Sequence, residues 1–379
     1  MALSAGTTLY KGTPLAHRTF DTAGEVNSAR ALVVAVDLDD PARPIDPELL
    51  EFEALAIAAG AQPIARIVQK RAAYDPATLV GSGKAHEIAA LAKECDAGLI
   101  LVLNDLRPRQ RKNLEAIISV PIVDRTMLIL DVFAAHARSR EGKLQVELAQ
   151  LRYRQSNLIG VGADLSRLGG GIGTRGPGES KLEVDRRRIQ HRVTVLRGAL
   201  EDVRRQRGTR RAAPHREPLV ALVGYTNVGK SSLLNALAKS DALVADQPFA
   251  TLDPTVRRVY LAPDRYVRLA DTVGFITDLP KDLINAFRAT LEELREAQLL
   301  IHVLDASNPD WPRQRVAVDA IVHDLELDAT PRIIVFNKCD AAPNIPHEAD
   351  SIAVSATTGQ GLDALREAIA TRLQAEGVS

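Results

Sequence analysis

Cysteine is nearly absent from this chain of 379 residues. Cys95 and Cys339 cannot make a zinc site between them and are too few for a disulfide scaffold, which points to a reducing, cytoplasmic setting. Aromatic residues are scarce at 4%, which argues against extensive base-stacking platforms. No apolar run approaches the ~20 residues of a membrane span, so any membrane association is expected to be peripheral. Residues 1–27 lack the apolar core of a signal peptide and mix Asp21 and Glu25 with basic residues, so 1–29 reads as a flexible tail. Net charge is lacking too: the formal total is zero, which taken alone argues against a nucleic-acid partner. That total conceals a strongly uneven distribution.

What is present is a globular composition, 46% hydrophobic and 25% charged, in a chain long enough for two or three domains. From residue 30 to 135, apolar runs alternate with helical patterns. Strands are expected at 31–36, 63–68, 99–103 and 121–124, with helices at 47–59, 84–93, 107–118 and 127–135. Such alternation implies a small, mostly parallel α/β sheet. Within it, Val80-Gly81-Ser82-Gly83-Lys84 lacks the four-residue spacer of a phosphate loop and reads as a turn into a helix. The basic start of the third helix, residues 105–112, is a solvated face or an extension of a polyanion-binding surface.

Residues 136–217 differ in kind. Over 136–216 there are nineteen Lys/Arg against eight Asp/Glu, a net of +11, so the remainder carries −11. Leu144, Leu148 and Leu151 mark one helix stripe. Leu182, Ile189, Val193, Leu196, Leu200 and Val203 mark a second with heptad rhythm, so the two helices should pack as an antiparallel hairpin. Between them, eight glycines within residues 160–178 argue against regular structure, because the entropy cost is high. Arg167, Arg175 and Lys181 place cations along this stretch, which suits reaching into folded RNA.

The segment 218–379 carries the clearest chemistry. An apolar run at 219–223 leads into Gly224-Tyr225-Thr226-Asn227-Val228-Gly229-Lys230-Ser231, followed by a helical pattern. Strand, glycine loop and helix in that order make a phosphate-binding loop, with backbone N–H groups curled onto the phosphates. Lys230 supplies a cation to the outer phosphates, and the Ser231 hydroxyl is a Mg²⁺ ligand. About forty residues on, Asp271-Thr272-Val273-Gly274 follows a strand at 266–270; Asp271 would hold Mg²⁺ and the Gly274 N–H would bond the γ-phosphate.

Asn337-Lys338-Cys339-Asp340 follows a strand at 333–336. Asp340 can accept from guanine N1–H and N2–H₂, which adenine does not offer, so the site selects GTP over ATP. Ser355-Ala356-Thr357 would close over the base, with the Ala356 N–H toward guanine O6. Cys339 fills a variable slot with no redox role. In Phe249-Ala250-Thr251-Leu252-Asp253-Pro254-Thr255, one threonine should reach Mg²⁺ while GTP is bound; Thr251 is the first choice and Thr255 the reserve. Phe275 follows Gly274 where a water-orienting glutamine would stand, so a partner or a cation should complete the site. Asn227 is either a plain turn residue or a ligand for a monovalent cation such as K⁺.

These motifs, with the glycine-rich string at 168–183 and Asp185-Arg186-Arg187, closely resemble the HflX family of translational GTPases. The likeness runs from about residue 31 onward. It implies a small N-terminal α/β domain, a helical hairpin with a glycine-rich loop, and a Ras-like P-loop GTPase domain. It also implies a monomer that binds the 50S subunit and its 23S rRNA, splits stalled or idle 70S ribosomes under stress such as heat, and uses Mg²⁺ with GTP as substrate. The hairpin would approach the peptidyl-transferase region, and Arg186 and Arg187 join the RNA-facing cations. Two departures stand out: no extra C-terminal domain follows the helix at 362–373, and Ser180-Lys181 replaces the more usual Thr-Gln. Competing readings are a GTP-regulated RNA-binding module and a large-subunit assembly GTPase.

Overall fold

The computed structural model describes residues 7–9, 29–41, 43–168, 177–211, 217–239, 248–249, 255–277, 279, 292–346 and 348–377; at 157–168, 177–182, 204, 206–211 and 292–293 it describes backbone alone. The chain divides into two compact units, Met1–Ala135 with Glu147–Gly198, and His136–Val146 with Ala199–Ser379.

The first unit runs β1 (Thr7–Leu9), β2 (Arg30–Asp37), α1 (Ile45–Ala58), β3 (Gln62–Lys70), α2 (Ser82–Glu94), β4 (Leu99–Val102), α3 (Pro108–Ile118), β5 (Ile122–Asp124) and α4 (Arg125–His136). Its sheet has the order β1-β3-β2-β4-β5, with β3, β2, β4 and β5 parallel. Residues 31–37 of β2 and all of β4 are buried, as strands covered on both faces must be. The expected tail is corrected at one point: Thr7–Leu9 pairs antiparallel with β3, Thr8 opposite Arg66. An edge strand offers a row of unpaired backbone groups, and Thr-Thr-Leu has the β-branched character to take them.

Two long helices follow, α5 (Arg140–Leu168) and α6 (Pro177–Arg211). Within the first unit, Arg192 holds Glu147 with Nε at 2.6 Å, and Gln190 accepts from Gln155 at 2.8 Å. Numbers fall on α6 as they rise on α5, so the pair is antiparallel. Val193, Leu196 and Leu200 are buried and Ile189 and Val203 half-buried, as the heptad seam requires. On α5, Leu148 is buried together with Val146 and Ala149, while Leu144 and Leu151 are half-buried.

Irregular structure throughout 160–178 does not hold. Helix α5 includes Gly160 and Gly162, and α6 begins at Pro177. An interior glycine costs roughly 1 kcal/mol, which a long, already nucleated helix absorbs. Proline suits a first helical position because its missing N–H would have no partner there. Arg175 lies outside the described residues, and Arg167 and Lys181 are described by backbone alone.

The second unit contains β6 (Leu219–Gly224), α7 (Lys230–Ala238), β7 (Thr255–Ala262), β8 (Arg265–Asp271), a 3₁₀ turn (Glu292–Glu296), β9 (Leu299–Asp305), α8 (Trp311–Asp324), β10 (Arg332–Asn337), β11 (Ser351–Ala353) and α9 (Leu362–Ala375). The sheet order is β11-β10-β9-β6-β8-β7, parallel except for β7, which returns antiparallel on β8. The motif-bearing strands β6, β8, β10 and β11 are mutually parallel, so their C-terminal ends meet at one edge, where open α/β sheets bind ligands.

Candidate functional site

At the end of β6 the chain must turn sharply and pass close to its neighbours. A Cβ on Gly224 would lie 2.4 Å from the Val303 carbonyl oxygen, and one on Gly229 would lie 2.3 Å from Asn337 Nδ2. Gly229, at φ +88°, also adopts a left-handed conformation that side chains rarely take. Lys230 then opens α7 with its ammonium turned back into the loop, donating to the Tyr225 carbonyl at 2.7 Å and the Gly224 carbonyl at 3.1 Å. Burial drives the Lys230 pKa down to about 8, opposed by the charge of Asp271.

Asp271 ends β8 beside this loop. Its Oδ2 accepts from Ser231 Oγ at 2.5 Å. Thr272 Oγ1 donates to the Leu222 carbonyl at 2.7 Å, tying β8's end to β6. The chain after it is stitched to the phosphate loop: Thr226 N donates to the Phe275 carbonyl at 2.8 Å and Phe275 N to the Gly224 carbonyl at 3.1 Å. Gly274 sits in this narrow space, where a Cβ would approach Thr226 Cα to 2.9 Å and Lys230 Nζ to 3.1 Å. Val273 is buried, and the Phe275 side chain is 1% exposed, packed inward. Asn227 is exposed at φ +61°, the left-handed turn geometry that asparagine tolerates. Val228 is buried, and Tyr225 reaches Thr277, its hydroxyl accepting from Thr277 N at 2.8 Å.

Asn337 turns out to be a structural clamp. Buried at 1% exposure, it donates from Nδ2 to the Val228 carbonyl at 2.8 Å and accepts at Oδ1 from Ala356 N at 3.1 Å. A buried amide must satisfy both ends. The Ala356 N–H, expected to point at guanine O6, is therefore engaged with Asn337 in this structure. Lys338 pairs with Asp305 at 2.7 Å, Asp305 also capping Ser307 N at 2.9 Å. Asp340 is exposed, as is Thr357, while Ser355 is fully buried and anchors Thr358 N at 3.0 Å. Burial and, secondarily, the Asp340 charge push the Cys339 thiol up, consistent with a residue that stays protonated.

Phe249 is buried at φ +59°. Ala250, Thr251, Leu252 and Asp253 lie outside the described residues, whereas Thr255 opens β7 directly across from Asp271. In the first unit, Arg186 and Arg187 are exposed on α6, Arg187 paired with Glu183 at 2.7 Å. Sequence reasoning did not single out Asp305 and Thr277, which position Lys338 and Tyr225. Asp305 carried one readable signal, an acid closing an apolar strand at the same sheet edge. The site thus gathers an inward-looping backbone, one buried cation, a hydroxyl–carboxylate pair and an exposed carboxylate, a set able to hold a nucleotide phosphate chain and discriminate its base. Among the described residues no helix is long and apolar enough to cross a membrane.

Fold and site together define a P-loop GTPase. Family models match in three consecutive regions, described as "GTP-binding GTPase N-terminal" over 46–134, "GTP-binding GTPase Middle Region" over 136–213 and "50S ribosome-binding GTPase" over 219–338. The GTPase HflX of Caldanaerobacter subterraneus subsp. tengcongensis is 48% identical, over 91% of this chain and 80% of its own length. That of Escherichia coli K12 is 43% identical, over 87% and 80%. Among solved structures, SsGBP in complex with GDP matches at a TM-score of 0.50 and 21% identity, over 90% of this chain and 98% of its own, a likeness of fold. The chain belongs to the HflX family of GTPases; it binds guanine nucleotides and hydrolyses GTP.

Proposed function

We propose that this GTPase works in the cytoplasm as a monomer on the large ribosomal subunit, docking on 50S through 23S rRNA and splitting stalled or idle 70S particles under stress. Support comes from relatives over most of the chain, from the description of the region it matches over 219–338, and from the net +11 of the central segment, the charge a phosphate-rich partner attracts. In this reading Arg167, Arg175, Lys181, Arg186 and Arg187 meet RNA phosphates.

The observation that carries the proposal is the placement of Phe275. Its side chain is buried and its backbone bridges to the phosphate loop. This position therefore offers no group to orient water, and a docked partner would supply what hydrolysis needs. Lys230 holds the outer phosphates, the Gly274 N–H meets the γ-phosphate, and Asp340 reads guanine. Thr251 contacts the γ-phosphate side once GTP is in place. Ser231 and Asp271 converge as hard oxygen donors, which suits Mg²⁺. Mg²⁺ bound there neutralises phosphate charge. In this reading the amide of Asn227, exposed at the phosphate loop, ligates K⁺.

The test is GTP hydrolysis by the purified protein with and without 50S subunits, in KCl and in NaCl. A large rise with 50S supports ribosome docking, and no response to ribosomes sinks it. A rise in K⁺ without 50S assigns Asn227 its cation. Light scattering of 70S particles then separates splitting from an assembly role.

A further inference from the structure

In the second unit the β7–β8 hairpin has two unlike faces. One, through Val259, Val267 and Leu269, packs toward α7 and α9, and Arg265 on that side meets Gln374 of α9. Alternation places Val256, Arg258 and Tyr260 of β7 on the other side, opposite Ala270, Arg268 and Tyr266 of β8. Val256 and Tyr260 are 46% and 49% exposed. Tyr260 and Tyr266 stand edge to face with centroids 5.5 Å apart, and the Arg258 guanidinium lies 3.7 Å over the Tyr266 ring. Glu217 fixes this arrangement: its carboxylate accepts from Arg258 Nε at 2.6 Å and its carbonyl from Arg268 Nε at 3.2 Å.

We propose that this arginine–tyrosine face is a second RNA contact, a platform on which an unpaired base stacks against Tyr260 while Arg258 and Arg268 attract the adjoining phosphates. Stacked aromatics interleaved with arginines are the chemistry by which single strands are held. The low aromatic content rules out an extensive platform; two of the chain's six tyrosines suffice for a local one. Charge selects the occupant, because among the described residues the face presents two arginines against the single carboxylate of Glu217, which Arg258 already engages. Its apolar content is little more than Val256, too small for the dry centre of a protein interface. The same strands lead to the nucleotide site: β7 begins with Thr255 across from Asp271. RNA seated on the platform therefore bears on the strand pair that carries that carboxylate. The inference deepens the ribosomal reading and is tested apart from it.

The experiment titrates the full chain with a short fluorescein-labelled oligouridylate and with a blunt RNA duplex. It repeats the single-strand titration with Tyr260→Ala, Tyr260→Phe and Arg258→Ala, and maps crosslinks from a 4-thiouridine-bearing oligomer. Tyr260→Ala should weaken single-strand binding about fivefold or more, Tyr260→Phe should restore it, and the crosslink should fall on the β7–β8 peptide. Duplex binding and intrinsic GTP hydrolysis should not change. Wild-type affinity in Tyr260→Ala, equal loss for duplex and single strand, or crosslinks confined to α5 and α6 would overturn the platform. Because the assay contains no ribosomes, failure of 50S stimulation with a normal Tyr260 effect removes the ribosomal reading alone, and the reverse pattern removes only the platform.

Discussion

The turn Val80-Gly81-Ser82-Gly83-Lys84 and the loop at 224–231 use the same residue types at the head of a helix, yet they are different objects. Gly81 and Gly229 share a positive φ, +87° and +88°, but not ψ: Gly81 is extended at +153° and Gly229 left-handed at +28°. In the first unit the space beside the turn is taken by Arg71, whose Nη1 donates to the Val80 carbonyl at 2.8 Å. Lys84 turns along its own helix to pair with Glu87 at 2.8 Å. In the second unit the lysine points back into the loop and is buried among carbonyls. A glycine–lysine turn becomes a phosphate cradle when enough residues separate its glycines to leave room inside, and when no neighbouring side chain fills that room. The four-residue spacer between Gly224 and Gly229 is legible in the sequence; what the neighbouring side chains do is legible only in the fold.

Substitutions at matched positions should pull the two apart. Lys230→Ala should lower GDP and GTP affinity on the order of 100-fold or more by removing a buried charge partner of phosphate. Lys84→Ala should change affinity less than twofold, both read by titration with a fluorescent guanine nucleotide. Comparable losses in the two variants would erase the distinction. Next in size is Gly229→Ala, which combines a left-handed backbone with a collision against Asn337 Nδ2. It should cost about 3 kcal/mol in denaturant unfolding along with nucleotide affinity. Gly81→Ala meets only the movable end of Arg71 at 2.9 Å and should cost about 2 kcal/mol for a positive-φ, extended backbone that glycine alone adopts readily, with affinity intact. Asn337→Ala removes one buried and one part-buried hydrogen bond and leaves the Val228 carbonyl and the Ala356 N–H without that partner, so about 2 kcal/mol of stability should go.

Much of this was legible in the residues. The first unit's strands and helices follow from apolar runs and helical periodicity, because a covered parallel sheet leaves an uninterrupted hydrophobic signature. The four nucleotide motifs were readable because each combines a strand end with a chemical requirement. Thr7–Leu9 was not, since three residues in a polar tail carry no periodicity and their pairing depends on the open edge of β3, a tertiary fact. The helical state of Gly160 and Gly162 was hidden for a related reason: local propensity counts the cost of glycine but not the gain from continuing a long helix. Asn337 was legible as part of a motif, but its role as a clamp required knowing that the Val228 carbonyl and the Ala356 N–H lie on either side of it.

The finest test of the comparison is protonic. In the free protein Lys230 titrates near pH 8, lowered by burial, against a usual lysine value of about 10.4. Between those pH values the folded free protein binds fewer protons than the unfolded chain, so its stability should rise with pH across that window. Bound phosphate reverses the burial effect by placing negative charge beside the ammonium. Nucleotide binding should then take up protons above pH 8, approaching one per site near pH 9, and affinity should fall as pH rises through that range. Calorimetry of GDP binding at pH 9 in two buffers of different ionisation enthalpy measures the uptake directly. Lys84→Ala should leave it unchanged, because that side chain answers to Glu87, whereas Lys230→Arg should abolish it, since a guanidinium does not titrate in this range. Equal uptake in wild type and Lys230→Arg would place the titrating group elsewhere and remove the electrostatic distinction between the two turns.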